Sequence, residues 1–192
     1  THLLNLVASV NIARSNIKKV TIWCLAEVAN QFKEQPWLNI VVPFDDETPG
    51  FYRFFWHQFC FGQELKRAKC SVVMFPGGII PFRSDAIKVT ISQNMLPFQF
   101  SESRKFGFFN LLFWKMVLLY CFQIYSFRKS NGIIFLSQFA KFKILTATKL
   151  SVPMCTIPHG IEKRFFLKKR VPQRDFRSFS EAKPFKVGYV SI

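Results

Sequence analysis

Four apolar runs in this chain each end on a short polar phrase, and those phrases hold the residues that can do chemistry. Cys70 to Phe75 empties into Pro76-Gly77-Gly78, and Ile87 to Gln93 into Gln93-Asn94-Met95-Leu96-Pro97. Gly132 to Leu136 ends on Ser137, and Val152 to Ile157 runs into Pro158-His159-Gly160. Two glycines directly after a strand let a ligand approach the backbone, although such pairs also serve as ordinary turns. The amides of Gln93 and Asn94 donate and accept hydrogen bonds but cannot shuttle a proton. Their chemistry is therefore recognition of hydroxyl groups, not acid or base work. Asn94 serves equally well as a side chain closing the turn that follows it. Ser137 stands where a helix N-cap belongs. His159 is the one imidazole in these phrases, the side-chain type best suited to taking up and releasing a proton. A hydrogen bond to the backbone of its own turn is the expected role, with Gly160 taking a positive φ. No catalytic residue emerges from these phrases.

Other reactive side chains have plainer readings. His57 lies among aromatic residues with no identifiable partner and reads as a core or surface histidine rather than a base; His2 reads as an exposed residue at a helix start. Asp45, Asp46 and Glu47 precede Pro49-Gly50, and with no further carboxylates nearby they read as a solvated loop, not a metal site. Cys24, Cys60, Cys70, Cys121 and Cys155 are odd in number, contain no Cys-x-x-Cys pair and sit in apolar stretches. We expect reduced thiols acting as small core residues of a cytosolic protein, without disulfides or zinc.

The elements that position these phrases follow from hydrophobic spacing. Buried-type strands are expected at Val20 to Leu25, Leu38 to Val42, Cys70 to Phe75, Ile87 to Gln93, Gly132 to Leu136 and Val152 to Ile157. Helices are expected at Thr1 to Ala13 with Thr1 as N-cap, Ala26 to Phe32, Phe51 to Ala68, Phe106 to Phe127 and Gln138 to Lys149. Strands alternating with helices or long crossovers predict an α/β protein with a Rossmann-like open parallel sheet flanked by helices. Ligands bind such sheets at the carboxyl ends of the strands. The stretch Phe106 to Phe127 has the length of a membrane span, but Lys115 near its middle, with Asn110 and Gln123, makes insertion costly. A helix partly packed on the sheet is expected instead. Its surplus aromatic face, with Arg104, Lys105, Arg128 and Lys129 at its ends, suits a membrane interface.

The 192 residues suffice for one ordinary domain, and 25 of them are Phe. A net charge of +16 implies attraction to something anionic: lipid headgroups, nucleic acid or phosphorylated substrates. No nucleic-acid-binding motif accompanies the charge, so no nucleic-acid partner is expected. Thr1 to Ala13 lacks the basic start and small-residue cleavage site of a signal peptide. Residues 1–162 read as one Rossmann-like domain, residues 163–184 as a basic linker, and residues 185–192, FKVGYVSI, as the start of a new strand.

Taken in order, these phrases resemble the N-terminal domain of retaining GT-B glycosyltransferases of family 4. Phe-Pro-Gly-Gly at Phe75 to Gly78 is similar to a cleft loop of a bacterial subgroup. Gln93 to Pro97 is similar to the family's Val-His-Asp-Leu-x-Pro phrase, with Gln93 at the position of its His and Asn94 at that of its Asp. Leu136-Ser137 and Ile157-Pro158-His159-Gly160-Ile161 resemble its Ser helix cap and its Pro-Asn-Gly-Val-Asp turn. The resemblance implies transfer of a sugar from a nucleotide diphosphate donor to a saccharide or lipid-linked acceptor, as in polysaccharide biosynthesis, with no obligatory metal or other cofactor. It implies that Pro76, Gly77 and Gly78 shape the acceptor side, that Gln93 and Asn94 contact sugar hydroxyls, and that Ser137, His159 and Gly160 line the interdomain face. It also implies a first strand and Gly-rich loop ahead of the helix at Thr1, and a nucleotide-sugar domain opening at Phe185. The 192 residues alone are then an inactive fragment, cytoplasmic or peripheral on the inner face of the cell membrane. The alternative is a non-catalytic basic domain that docks on anionic membrane or on a partner transferase.

Overall fold

A computed structural model describes residues 2–12, 15–99 and 110–160 of the chain. The chain divides into two compact units, Thr1–Pro158 and His159–Ile192. In the first unit the elements run α1 (His2–Ser9), β1 (Val20–Trp23), α2 (Ala26–Ala29), β2 (Leu38–Val41), α3 (Gly50–Phe59), α4 (Phe61–Arg67), β3 (Val72–Phe75) and β4 (Ile87–Ser92). A 3-10 turn at Leu96–Phe98 follows, then α5 (Leu111–Lys129), β5 (Gly132–Phe135), α6 (Gln138–Ala147) and β6 (Met154–Thr156). The cap at Thr1, the linker at 163–184 and the strand at 185–192 lie outside the described residues.

Among the described residues every strand pairing is parallel, as the alternation of strands and crossovers requires, so the chain is an α/β protein with a Rossmann-like open sheet. The sheet is in two pieces, β1-β2 and β3-β4-β5-β6. Paired residues on neighbouring strands share a face. Phe75, Thr90 and Ile133 thus form one row, and Ser92, Phe135 and Thr156 the next, all on one side of the larger sheet. That side carries the core. Phe61 and Leu65 of α4 pack with Val73, Phe75 and Ile80, and Phe127 of α5 packs with Ile133, Phe135 and the α6 residues Ala140 and Ile144.

The opposite side corrects the expectation of strands buried on both faces. Val72, Met74 and Ile87 are exposed there, and β3 alternates between exposed and buried positions. The order of the strands explains it. β3 to β6 are laid down in one direction, so right-handed crossovers bring α5 and α6 onto the same face.

Two local corrections concern helices and thiols. The single helix expected over Phe51 to Ala68 breaks at Cys60 into α3 and α4. Gly62, in the first turn of α4, lies so close to Arg83 that a methyl group would overlap its carbonyl oxygen. The five cysteines are free, but none is fully buried: Cys24 and Cys70 are half-buried, Cys70 packing against the core at α4 and β3, and Cys60, Cys121 and Cys155 are exposed. Burial pushes the Cys24 and Cys70 thiols above their ordinary pKa. Cys60 occupies the helix junction, Cys121 the outer stripe of α5, and Cys155 the uncovered side of β6.

The described part of the Phe-rich stretch is α5, which begins at Leu111 under a cap in which Asn110 Oδ1 accepts from the Leu112 N–H at 2.9 Å. Arg128 and Lys129 fill its last turn, where the helix dipole favours cations. No helix among the described residues is long and apolar enough to cross a membrane.

Candidate functional site

Register fixes where the strand tips lie. Phe75 pairs with Thr90, Ser92 with Phe135, and Phe135 with Thr156. Because the strands are parallel, Pro76-Gly77-Gly78, Gln93-Asn94 and Leu136-Ser137 all leave the sheet along one rim, at its carboxyl edge. The 2.8 Å hydrogen bond from the Ile157 N–H to the Phe135 carbonyl brings the end of β6 to the same edge. His159 and Gly160 belong to the second unit, where both are exposed.

The loop after β3 is the most constrained part of the rim. Gly78 is buried with φ 71°, in the left-handed region, and its N–H reaches back to the Phe75 carbonyl at 3.3 Å. The positive φ expected at Gly160 falls here instead. A methyl group on Gly78 would sit 3.4 Å from the Ile91 carbonyl oxygen and 3.5 Å from Gln123 Nε2. Two residues on, the Ile80 N–H donates to Ser126 Oγ at 3.1 Å, and that hydroxyl donates to the Phe122 carbonyl at 2.7 Å. The Gly-Gly loop is thus pinned to α5, while Pro76 and Gly77 remain exposed above it.

The other candidates divide by how their polar atoms are used. Asn94 Oδ1 accepts from the Leu96 N–H at 3.0 Å, closing the turn into Pro97, and the exposed side chain keeps its amide nitrogen and a second oxygen lone pair for other partners. Ser137 Oγ accepts from the Ala140 N–H at 3.1 Å and is the N-cap of α6. Gln93 is exposed at the end of β4. These side chains are neutral, and recognition through them is by hydrogen bonds to polar, uncharged groups such as hydroxyls.

Beneath the rim lies a polar layer that the sequence reading did not select. Thr90, Ser92 and Gln123 are buried, and neither Thr90 Oγ1 nor Gln123 Oε1 has a hydrogen-bond partner in the protein. An unpaired buried carbonyl or hydroxyl costs about 1–3 kcal/mol, a cost the fold bears directly beneath the rim. Gln123 did leave a signal in the sequence. It is one of the few amides in the apolar run from Phe106 to Phe127, and such a residue needs a reason to be buried.

His57 stands apart from the rim. Its ring stacks on Phe61 at 5.4 Å and meets Phe75 edge-on at 5.7 Å, with Nδ1 3.1 Å from Gln58 Nε2. Burial lowers its pKa to about 4, so it is neutral at physiological pH, and its Gln58 neighbour leaves Oε1 unpaired. Among the described residues no group of His, Cys, Asp or Glu is arranged to hold a metal ion. A cavity of about 290 Å³ lies at the opposite end of β3, lined by Leu65, Lys66, Lys69, Cys70 and Asp85. A groove of about 430 Å³ follows the outer face of α5 from Tyr120 to Lys129.

No protein-family model matches this chain, and no curated protein or solved structure matches it significantly.

Proposed function

We propose that this chain is the acceptor-side domain of a retaining glycosyltransferase, with the carboxyl rim of β3, β4 and β5 turned toward a saccharide or lipid-linked sugar. One observation carries the reading. Three parallel strands deliver Gly77-Gly78, Gln93-Asn94 and Ser137 to a single edge, where a glycine turn opens the backbone above unpaired buried polar atoms. Neutral amides and backbone groups suit sugar hydroxyls better than they suit charged ligands. In this reading the nucleotide diphosphate donor is held by a second domain, through cations and a helix N-terminus, and the present residues orient the acceptor. The reaction has no step that requires a protein-bound metal here.

The test has two arms. Nuclear magnetic resonance titration of the chain with short saccharides is expected to shift the amides of Gly77, Gly78, Gln93 and Ser137 ahead of all others. Incubation with nucleotide diphosphate sugars and the same saccharides is expected to release no nucleotide diphosphate from this chain alone. Saccharides that leave those amides unmoved defeat the acceptor assignment; turnover by the isolated chain defeats the assignment of the donor site to another domain.

A further inference from the structure

Two helices present a continuous apolar ridge to solvent. On α3, Phe51, Phe55 and Phe59 recur every fourth residue, hence along one face, and are 69%, 58% and 60% exposed. Tyr52 flanks them, also exposed. Phe55 stacks on Phe59 at 6.0 Å, and Phe59 meets Phe82 at 5.5 Å. Phe82 in turn touches Phe122 and Tyr125 of α5 at 6.1 and 5.6 Å. From there the outer stripe of α5 extends the surface through Leu118, Trp114 and Leu111, all exposed. Apolar residues scattered singly over a surface need no explanation, but a joined face of this extent marks a contact.

Charge selects what the contact is. Arg83 follows Phe82, Lys115 lies between Trp114 and Leu118, and Arg128 and Lys129 close the groove on α5; Arg83, Lys115 and Lys129 are exposed. The acidic triplet Asp45, Asp46 and Glu47 lies ahead of α3, toward the Phe51 end of the ridge. A net charge of +16 repels a second copy of the chain and draws it to anionic surfaces. Phe, Tyr and Trp rimmed by cations, on helices that lie along a surface, are the composition of an interfacial contact with lipid.

We propose that this ridge seats on an anionic lipid bilayer. Phe55, Phe59, Phe82 and Trp114 enter the headgroup region, while Arg83, Lys115 and Lys129 meet lipid phosphates. The acidic triplet tips the Phe51 end of α3 away from the surface. The inference stands on the ridge and its charges and is independent of what the rim binds.

Cosedimentation of the full chain with vesicles tests it. One set is phosphatidylcholine alone, and in the other a quarter of the lipid is phosphatidylglycerol. Binding to the second set is expected to exceed binding to the first, and to fall at least about tenfold when salt rises from about 0.05 to about 0.5 M. The double variant Phe55→Ser/Phe59→Ser is expected to lose at least about tenfold in affinity, since two aromatic rings no longer leave water. Bromine-labelled lipid is expected to quench Trp114 fluorescence in the parent chain, an effect absent from Trp114→Leu. Phe55 and Phe59 are more than half exposed, so the double variant's far-ultraviolet dichroism and melting should match the parent; if they do not, Trp114→Ser/Leu118→Ser, also at exposed ridge positions, replaces it. Equal binding to neutral and anionic vesicles overturns the proposal. So does full affinity in the ridge variant, and so does light scattering in which the ridge drives self-association without vesicle binding.

Discussion

Gly78 and Gln123 face each other across the junction of β3 and α5, close enough that a methyl group on the glycine would stand 3.5 Å from the amide nitrogen. With φ at 71°, Gly78 holds a conformation that costs an L-residue about 1–2 kcal/mol. Gly78→Ala is therefore expected to lower stability by about that amount in urea titrations. Gly77→Ala, with open space around it and no positive φ, should change stability little. Equal losses at the two positions would show that the turn is not held as described.

Gln123 supplies a second test, because its Oε1 is buried without a partner. Replacing a polar group that already bears a desolvation cost by an apolar one of similar size is neutral or favourable. Gln123→Met is expected to leave the melting temperature unchanged or to raise stability by up to about 1 kcal/mol. If the rim takes a sugar through that carbonyl, the same variant weakens saccharide binding while the fold holds.

The neutral His57 makes stability depend on pH. Its folded pKa is about 4 against an ordinary value of 6.5, so between those values the unfolded chain binds the proton and the folded chain does not. The contribution is present in full above about pH 6.5 and is lost as pH falls toward 4, amounting to about 3 kcal/mol. Urea midpoints measured at pH 7 and pH 4.5 should differ in that direction, and His57→Phe should flatten the difference.

Ser137 separates a structural role from a recognition role. As the N-cap of α6 it accepts from the Ala140 N–H, and Ser137→Ala is expected to cost about 1 kcal/mol. Ser137→Asp keeps the cap and should restore stability. Saccharide-induced shifts that vanish in both variants would identify the hydroxyl itself as a contact. Shifts retained in the aspartate variant would assign it to capping alone.

How much of this was legible in the residues differs by scale. Alternating apolar runs and crossovers were enough for a parallel α/β sheet, because period and length separate strand from helix where runs are clean. Asn94 and Ser137 could be assigned local turn and cap roles because Asx and Ser caps depend on neighbours two or three residues away. The break at Cys60 was not legible: Gly62 meets Arg83, a contact between segments that no local spacing encodes. Nor was the exposure of Val72, Met74 and Cys155, since an apolar strand reads as buried whether or not the fold supplies a layer to cover its second face. The polar layer at Thr90 and Gln123 is likewise a product of strand and helix meeting, visible only once the two are packed.

The division of the sheet between β1 and β3 sets a mechanical seam through the first unit. Backbone bonding across a sheet is cooperative, and here it stops. What links β1 to the rest includes side-chain packing, with Trp23 edge-on to Phe61 at 5.1 Å against the core beneath β3. A two-stranded ribbon has little stability of its own, so β1 and β2 can peel away as a block while β4 and β5 stay zipped. Amide protons would then fall into two tiers, fast along the ribbon and slow in the four-stranded piece, and anything that bridges the seam would merge them.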